Sequence, residues 1–479
     1  MKNQSSKLVW DYFKKISLIP RASRHETKIA NFLVKTFKKI GAEVIKDKSN
    51  NVVARIPATK GFEKLPLLSL QAHSDMVTIK KDGSHHNFAK DPIRLVFKKN
   101  IVTAVDTTLG ADNGIGIALI LAMFTDKSTT HGPLEAIITS KEEIGLLGAK
   151  ELNPKLIKGE YLINLDSELD DEIVIACSGS LTIDSYTKLQ LIRNHYDNHF
   201  CLSIKDLLGG HSGMDIAKKR LNALKGIFFV MKEMSQTITL VINDISGGTV
   251  LNAIPSFATV KFSTNDRMHN IKPIINKCYK QLKKLNPNEK HFRLSLTPIK
   301  KPTYAVDKKQ SNQIINFLND VFNGVKIYNQ KYQLAQAASN LGKAFIKNKR
   351  LYISFNARAL NIKDNEQIKD LICKRLKQIR AEYTFRIGQG WNPDIEVSNF
   401  TIKFKDYVKR HFKKNLKLTY VLAGLETKDL LSGKFNFKSG ISYGVNITSP
   451  HSIQETLSIS SVDFVYKILA DSYLMFPAQ

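Results

Sequence analysis

Residues 115–124 are apolar almost all round, with no polar stripe, which predicts a helix buried on every side. The stretch Thr107-Thr-Leu-Gly-Ala-Asp-Asn-Gly-Ile-Gly116 leads into it. Asp112 stands there between a glycine that lets the backbone turn and a second that opens the apolar run. A carboxylate at the mouth of a buried helix is costly unless something cationic meets it. Upstream, residues 6–18 read as an amphipathic helix with Leu8, Val9, Tyr12, Phe13 and Ile16 on one side. Residues 26–40 read as a second helix, ending at Gly41.

Shorter apolar runs at 51–56, 65–71, 134–139 and 161–165 read as strands. Three of them end in chemistry: His73 and Asp75 follow one, Glu142-Glu143 the next, and Asp166 the last. Open α/β sheets gather their sites where strand carboxyl ends converge on one crevice. Near residue 180 the pattern changes. Strands such as 258–263 and 351–355 then mix with long basic helices at 216–234, 269–285 and 365–383, as in a separate α+β domain. Two glycine-marked turns lie within it, at 207–213 with His211 and at 246–255; a third at 387–393 marks the exit. The expected organisation is therefore an α/β domain from residues 1–180 and 401–479, with a mixed sheet flanked by helices, interrupted by an inserted α+β domain over 181–400.

Composition changes this picture little. The 479 residues suffice for two or more domains, and a 43% hydrophobic content is that of a globular enzyme. The net charge of +29 raises nucleic acid or an anionic surface as partners, but the lysines are dispersed and form no tail or stripe. No nucleic acid is expected. Cys177, Cys201, Cys278 and Cys373 form no CxxC pair and read as reduced residues. The N-terminal stretch has no signal-peptide core, and no apolar run reaches the ~20 residues a spanning helix needs. The expected setting is the cytoplasm, without a membrane.

Histidines and carboxylates at strand ends suit a catalytic zinc site with an open position better than a closed structural one. HExxH is absent. Asp112 is read as bridging two divalent metals, with the His73, Glu142-Glu143, Asp166 and His451 clusters completing their coordination. In His73-Ser-Asp75 both side chains share one face of extended chain, so Asp75 can orient the imidazole while His73 takes the metal. Of the two adjacent acids, Glu143 is read as a ligand and Glu142 as the general base for a metal-held water.

The ordered series of motifs resembles the peptidase D (aminoacyl-histidine dipeptidase) group of the M20 metallopeptidase family. It is carried by Ile19-Pro-Arg, Gln71-Ala-His-Ser-Asp-Met-Val77, Gly110-Ala-Asp-Asn-Gly114, Glu142-Glu-Ile-Gly-Leu146, Asn164-Leu-Asp-Ser-Glu168, Gly209-Gly-His-Ser-Gly213, Asn252-Ala-Ile-Pro255, Gly390-Trp-Asn-Pro393 and Ser449-Pro-His-Ser452. The resemblance implies a zinc-peptidase-like catalytic domain with a lid as the insert, and hydrolysis of dipeptides, of Xaa-His type or more broadly. One metal would be held by His73, Asp112 and Asp166, and the other by Asp112, Glu143 and His451. The ions would be zinc, with manganese or cobalt as alternatives. His211 would stabilise the oxyanion; Asn252 and Arg358 would contact substrate, Arg358 through its carboxylate. Family members supply the lid histidine from the same chain or across a dimer, so a homodimer is an expected assembly. The chain departs from the family pattern at Thr427, Tyr443, Val445 and Ala359, positions expected on the substrate side. Two other classes are weighed: an M20-type amidase or deacylase acting on acylated amino acids, and a non-catalytic basic protein binding nucleic acid or a surface.

Overall fold

The computed structural model describes residues 4–476. They divide into two compact units: one holds the described residues up to Cys177, Ile395–Tyr420 and those from Gly424 on, the other Ser178–Asp394 and Val421–Ala423.

The first unit is built on an eight-stranded sheet in the order Glu43–Lys46, Val52–Ile56, Leu134–Thr139, Leu68–His73, Tyr161–Asn164, Ser439–Ser442, Glu172–Cys177 and Lys417–Val421. Its centre is parallel. Leu68–His73 pairs with Leu134–Thr139 in a register that sets His73 opposite Thr139, and with Tyr161–Asn164 so that Gln71 faces Asn164. Parallel pairing brings three carboxyl ends to one edge, and the segments bearing His73, Glu142-Glu143 and Asp166 all leave the sheet there. All six residues of Leu68–His73 and of Leu134–Thr139 are buried, as befits strands covered on both faces.

The run at 115–124 lies inside the helix Ala111–Thr125, and each of its residues is buried. Each fully buried Ile or Leu contributes about 1.5–3 kcal/mol relative to exposure, so packing holds this helix in place. Gly110 precedes it in the left-handed region, at φ 68, and supplies no side-chain cap. Gln4–Ser17, Thr27–Lys39, Asn399–Phe412 and Ile459–Ala470 complete the helices around one core that includes Phe13, Phe37, Leu119, Tyr407 and Tyr466. A separate four-stranded sheet carries the hairpin of Ile447–Thr448 and Thr456–Ser458, whose tip holds His451.

The second unit has a largely antiparallel nine-stranded sheet around Leu240–Gly247, Leu334–Lys347, Arg350–Ala359 and Gly179–Lys188, with helices Ala223–Ser235, Met268–Leu285, Lys308–Asp320 and Ile362–Gln378 and a core of its own. Two helices depart from the sequence expectation. The segment 216–234 is helical only from Ala223, because Asn222 caps it by accepting from Leu224 N and Lys225 N; Ile216–Lys218 is a single 3-10 turn ending at Lys219, φ 52. The helix expected at 365–383 starts earlier, at an Asn361 cap, and stops at Gln378. Arg380 then reverses the chain at φ 51 into the strand Glu382–Ile387. Among the described residues no helix is long and apolar enough to cross a membrane.

A Cβ at Gly116 would lie 1.9 Å from Asn113 Oδ1 and 3.0 Å from Ala72 Cβ. Gly116→Ala is therefore expected to destabilise the protein by about 1–3 kcal/mol through overpacking. The urea midpoint of unfolding checks this, and an unchanged midpoint contradicts it.

Candidate active site

Five segments converge at the carboxyl edge of the first unit's sheet. His73 ends its strand; Asp166 lies two residues past Asn164; Glu142 and Glu143 follow Lys141, which turns the chain at φ 55; His451 sits at the hairpin tip, φ 58. Asp112 follows Gly110 with non-helical φ −76 and ψ 107, and the Asp112–Asn113 peptide is cis.

The two oxygens of Asp112 face different imidazoles. Oδ1 lies 2.9 Å from His73 Nε2, and Oδ2 lies 2.9 Å from His451 Nε2. His73 Nε2 is also 3.3 Å from Asp166 Oδ1, and His451 Nε2 is 3.1 Å from Glu143 Oε2. Two groups of nitrogen and oxygen donors thus share Asp112. Donors bound to one zinc at ~2.0–2.1 Å with tetrahedral angles stand roughly 3.3 Å apart, close to these separations. His73, Asp112 and Glu143 offer donor atoms all within 4.8 Å of one another. The second oxygen of Glu143 is buried and has no hydrogen-bond partner among the described residues. An orphaned anionic oxygen in such surroundings fits a metal ion.

The electrostatics point the same way. Burial pushes the Glu142 carboxyl well above its ordinary range, and the charges of Glu143 and Asp166 add to the push against His73. Burial also opposes the ionised form of Asp112, but hydrogen bonds from His451 and His73 outweigh it and hold this carboxyl far below the usual range. Burial lowers the His451 imidazole, yet Asp112 and Glu143 bring it up to about 11. Without an ion, the cluster balances its carboxylates by holding protons on imidazoles. A divalent cation does the same with more charge and releases those protons.

Asp75 turns away from the cluster's centre. Its Oδ1 is 3.4 Å from His73 Nδ1 and accepts from Glu142 N at 2.9 Å; its Oδ2 accepts from Glu143 N at 3.2 Å and from Ser23 Oγ at 2.7 Å. One buried carboxylate therefore fixes both the ring of His73 and the backbone of the Glu142-Glu143 pair.

In the second unit the two glycine-marked turns lie side by side. Ser212 N donates to Asn252 O at 2.8 Å, and Ile254 N to Gly210 O at 2.8 Å. His211 Nδ1 accepts from Gly213 N at 3.3 Å and Met214 N at 3.1 Å. Arg358 Nη2, which can only donate, lies 3.4 Å from His211 Nε2. The Asn252 side chain is exposed.

Several polar residues escaped the sequence reading. Asn113 Nδ2 donates to Leu165 O at 2.9 Å and to Asp166 Oδ1. Beneath the ligands runs a buried chain. Gln71 Nε2 donates to Glu426 Oε2 at 2.6 Å, Asn164 Nδ2 to Gln71 Oε1 at 2.5 Å, and Ser442 Oγ to Asn164 Oδ1 at 2.5 Å, which also receives Asp166 N at 3.3 Å. A signal existed: Gln71 and Asn164 are polar residues in otherwise apolar strands, two positions before His73 and Asp166 and so on the same face. Burial pushes Glu426, and likewise Glu168, up to about 8. Thr427, Tyr443, Val445 and Ala359, where the chain departs from the family pattern, are all buried.

Residues 202–290 match the peptidase dimerisation domain of the M20 family. The sequence is 33% identical over 481 aligned positions to the cytosol non-specific dipeptidase of Escherichia coli (strain K12), covering 98% of each chain. The crystal structure of aminoacylhistidine dipeptidase from Vibrio alginolyticus superposes with a TM-score of 0.80 at 29% identity, covering 100% of this chain and 99% of that one. The Saccharomyces cerevisiae di-peptidase Dug1p shares the fold, with a TM-score of 0.53 at 13% identity over 98% and 97% of the two chains. The chain belongs to the M20 metallopeptidase family, in its peptidase D (aminoacyl-histidine dipeptidase) group.

The Glu426 carboxyl carries a titration consequence. Its folded-state pKa of about 8 lies above the ordinary 4.5, so the folded state keeps a proton that the unfolded chain gives up. Stability of the metal-stripped protein is expected to fall as pH rises from about 4.5 to about 8. Urea midpoints across that window check this: Glu426→Gln should flatten the dependence, and an unaltered slope contradicts the assignment.

Proposed function

We propose that this chain is a metal-dependent dipeptidase whose centre is the cluster around Asp112. The single observation that carries the reading is one carboxylate whose two oxygens each lie 2.9 Å from a different imidazole. His73, Asp112 and Asp166 hold one divalent ion, and Asp112, Glu143 and His451 the other; zinc is the proposed ion, with manganese or cobalt able to replace it. Divalent ions held there would supply Lewis-acid polarisation of a carbonyl and a lowered water pKa, towards ~7.

The chain's own residues do the rest. Glu142, as its carboxylate, takes the proton of the attacking water and delivers it to the leaving amine. Asp75 keeps His73 in the tautomer that presents Nε2 to the ion. His211 is proposed as a group that stabilises the tetrahedral oxyanion. Arg358 and Asn252 are proposed to bind substrate, Arg358 by pairing its guanidinium with the free carboxylate. The proposed substrates are dipeptides, Xaa-His among them. A second copy of the chain is the proposed partner, because residues 202–290 match a dimerisation domain. The cytoplasm is the proposed location, in keeping with free cysteines at 177, 201, 278 and 373.

The test is hydrolysis of a panel of Xaa-His dipeptides, other dipeptides and N-acyl amino acids. Chelator treatment should abolish turnover and zinc, manganese or cobalt should restore it; turnover of acyl amino acids alone would overturn the dipeptidase reading. Glu142→Gln is expected to retain bound metal and lose about 10²–10⁴-fold in kcat. Metal analysis alongside kinetics checks this, and full activity in that variant removes Glu142 from its role.

A further inference from the structure

The turn that carries Asp112 is gripped from both sides by buried residues of opposite charge. Arg21, 3% exposed, is the last residue of the Ile19-Pro-Arg motif. Its Nη1 donates to Ser74 O at 3.2 Å and Asp75 O at 2.8 Å, and its Nη2 donates to Gly110 O. Glu455, also 3% exposed, accepts four successive peptide N–H groups. Oε2 takes Leu109 N at 2.8 Å and Gly110 N at 3.0 Å; Oε1 takes Ala111 N at 2.8 Å and Asp112 N at 3.3 Å. Gly110 thus donates to the carboxylate and accepts from the guanidinium. A Cβ there would lie 2.6 Å from Arg21 Nη2 and 2.8 Å from Met76 Sδ, so the grip also requires the glycine.

Each grip joins a ligand segment to the bridging one. Arg21 ties the carbonyls just past His73 to the Asp112 turn. Glu455 shares a hairpin tip with His451, so that loop holds the turn twice, by carboxylate to backbone and by imidazole to Asp112 Oδ2. A helix start can be satisfied by a local Ser, Thr, Asp or Asn cap. Here a second carboxylate is brought beside an already acidic cluster from 343 residues away, where it adds like charge unless position is what it provides.

We propose that Arg21 and Glu455 are positioning residues that set the orientation of the Asp112 carboxylate towards His73 and His451, and so the affinity of the centre for its metal ions. This rests on the metal-centre reading above. Neither residue touches an ion. The Arg21 fork spans three carbonyls, which the single ammonium of lysine does not reproduce. A glutamine at 455 would turn an NH₂ group towards two of the four donors.

The experiment is a chelator-competition titration of purified, folded wild type, Glu455→Gln and Arg21→Lys with zinc. Melting of the metal-free forms is measured in parallel. Both variants are expected to bind zinc about 10–100-fold more weakly, the range seen when groups behind metal ligands are removed, with kcat recovering at saturating zinc. A variant that melts lower yet binds zinc with wild-type affinity overturns the inference and leaves its residue a packing role. Should Glu455→Gln not fold, Arg21→Lys, which keeps the buried charge, carries the same test. A wild type that binds no zinc overturns the metal centre itself, an outcome distinct from either variant matching a wild type that does bind.

Discussion

Like charge crowded out of water is the constraint behind this structure. Asp112, Glu142, Glu143 and Asp166 meet two imidazoles at the edge of a sheet. Carboxylates this close in a low-dielectric setting cannot all remain ionised without compensating positive charge. Protons on His73 and His451 supply some of it. Divalent ions held there, as proposed above, would supply more. The parallel register of the central strands places the anions side by side; the chemistry follows from the need to neutralise them.

A second tier of polar groups makes that crowding tolerable. Asp75 spends both oxygens on His73, Ser23 and two peptide N–H groups. Gln71, Asn164 and Ser442 form a continuous chain through strands otherwise filled with Leu, Ile and Ala. Buried networks of this kind rigidify when satisfied and are costly when not. Glu426 is the partial exception, with one oxygen bonded to Gln71 and Thr139 and the other unpartnered.

Much of the first unit was legible in the sequence because its rules are local. A short, mostly apolar run followed within three residues by His73, Glu142 or Asp166 states both a strand and its cargo. The all-apolar run at 115–124 could only be a covered helix. The helices at 216–234 and 365–383 were overrun because amphipathic spacing continued past the residues that end or start them, Asn222 and Arg380, whose effects lie in a cap and a positive φ. Arg21, Glu455 and Glu426 were not legible as parts of the site. Each is a single polar residue whose partners lie between 53 and 355 positions away and are often backbone atoms, which leave no trace in residue spacing. Nor do Tyr443 and Val445 give any local sign in the sequence that they are buried.

The strand Ser439–Ser442 lies inside the sheet, between Tyr161–Asn164 and Glu172–Cys177, although some 260 residues separate it in sequence from both. The gap between Tyr161–Asn164 and Glu172–Cys177 must wait for residues 439–442, and Asp112 must wait for His451. The second unit, contiguous but for Val421–Ala423, faces no such wait. His451 meets Asp112 across 339 positions of chain, so the cluster is completed by a segment made long after its other members.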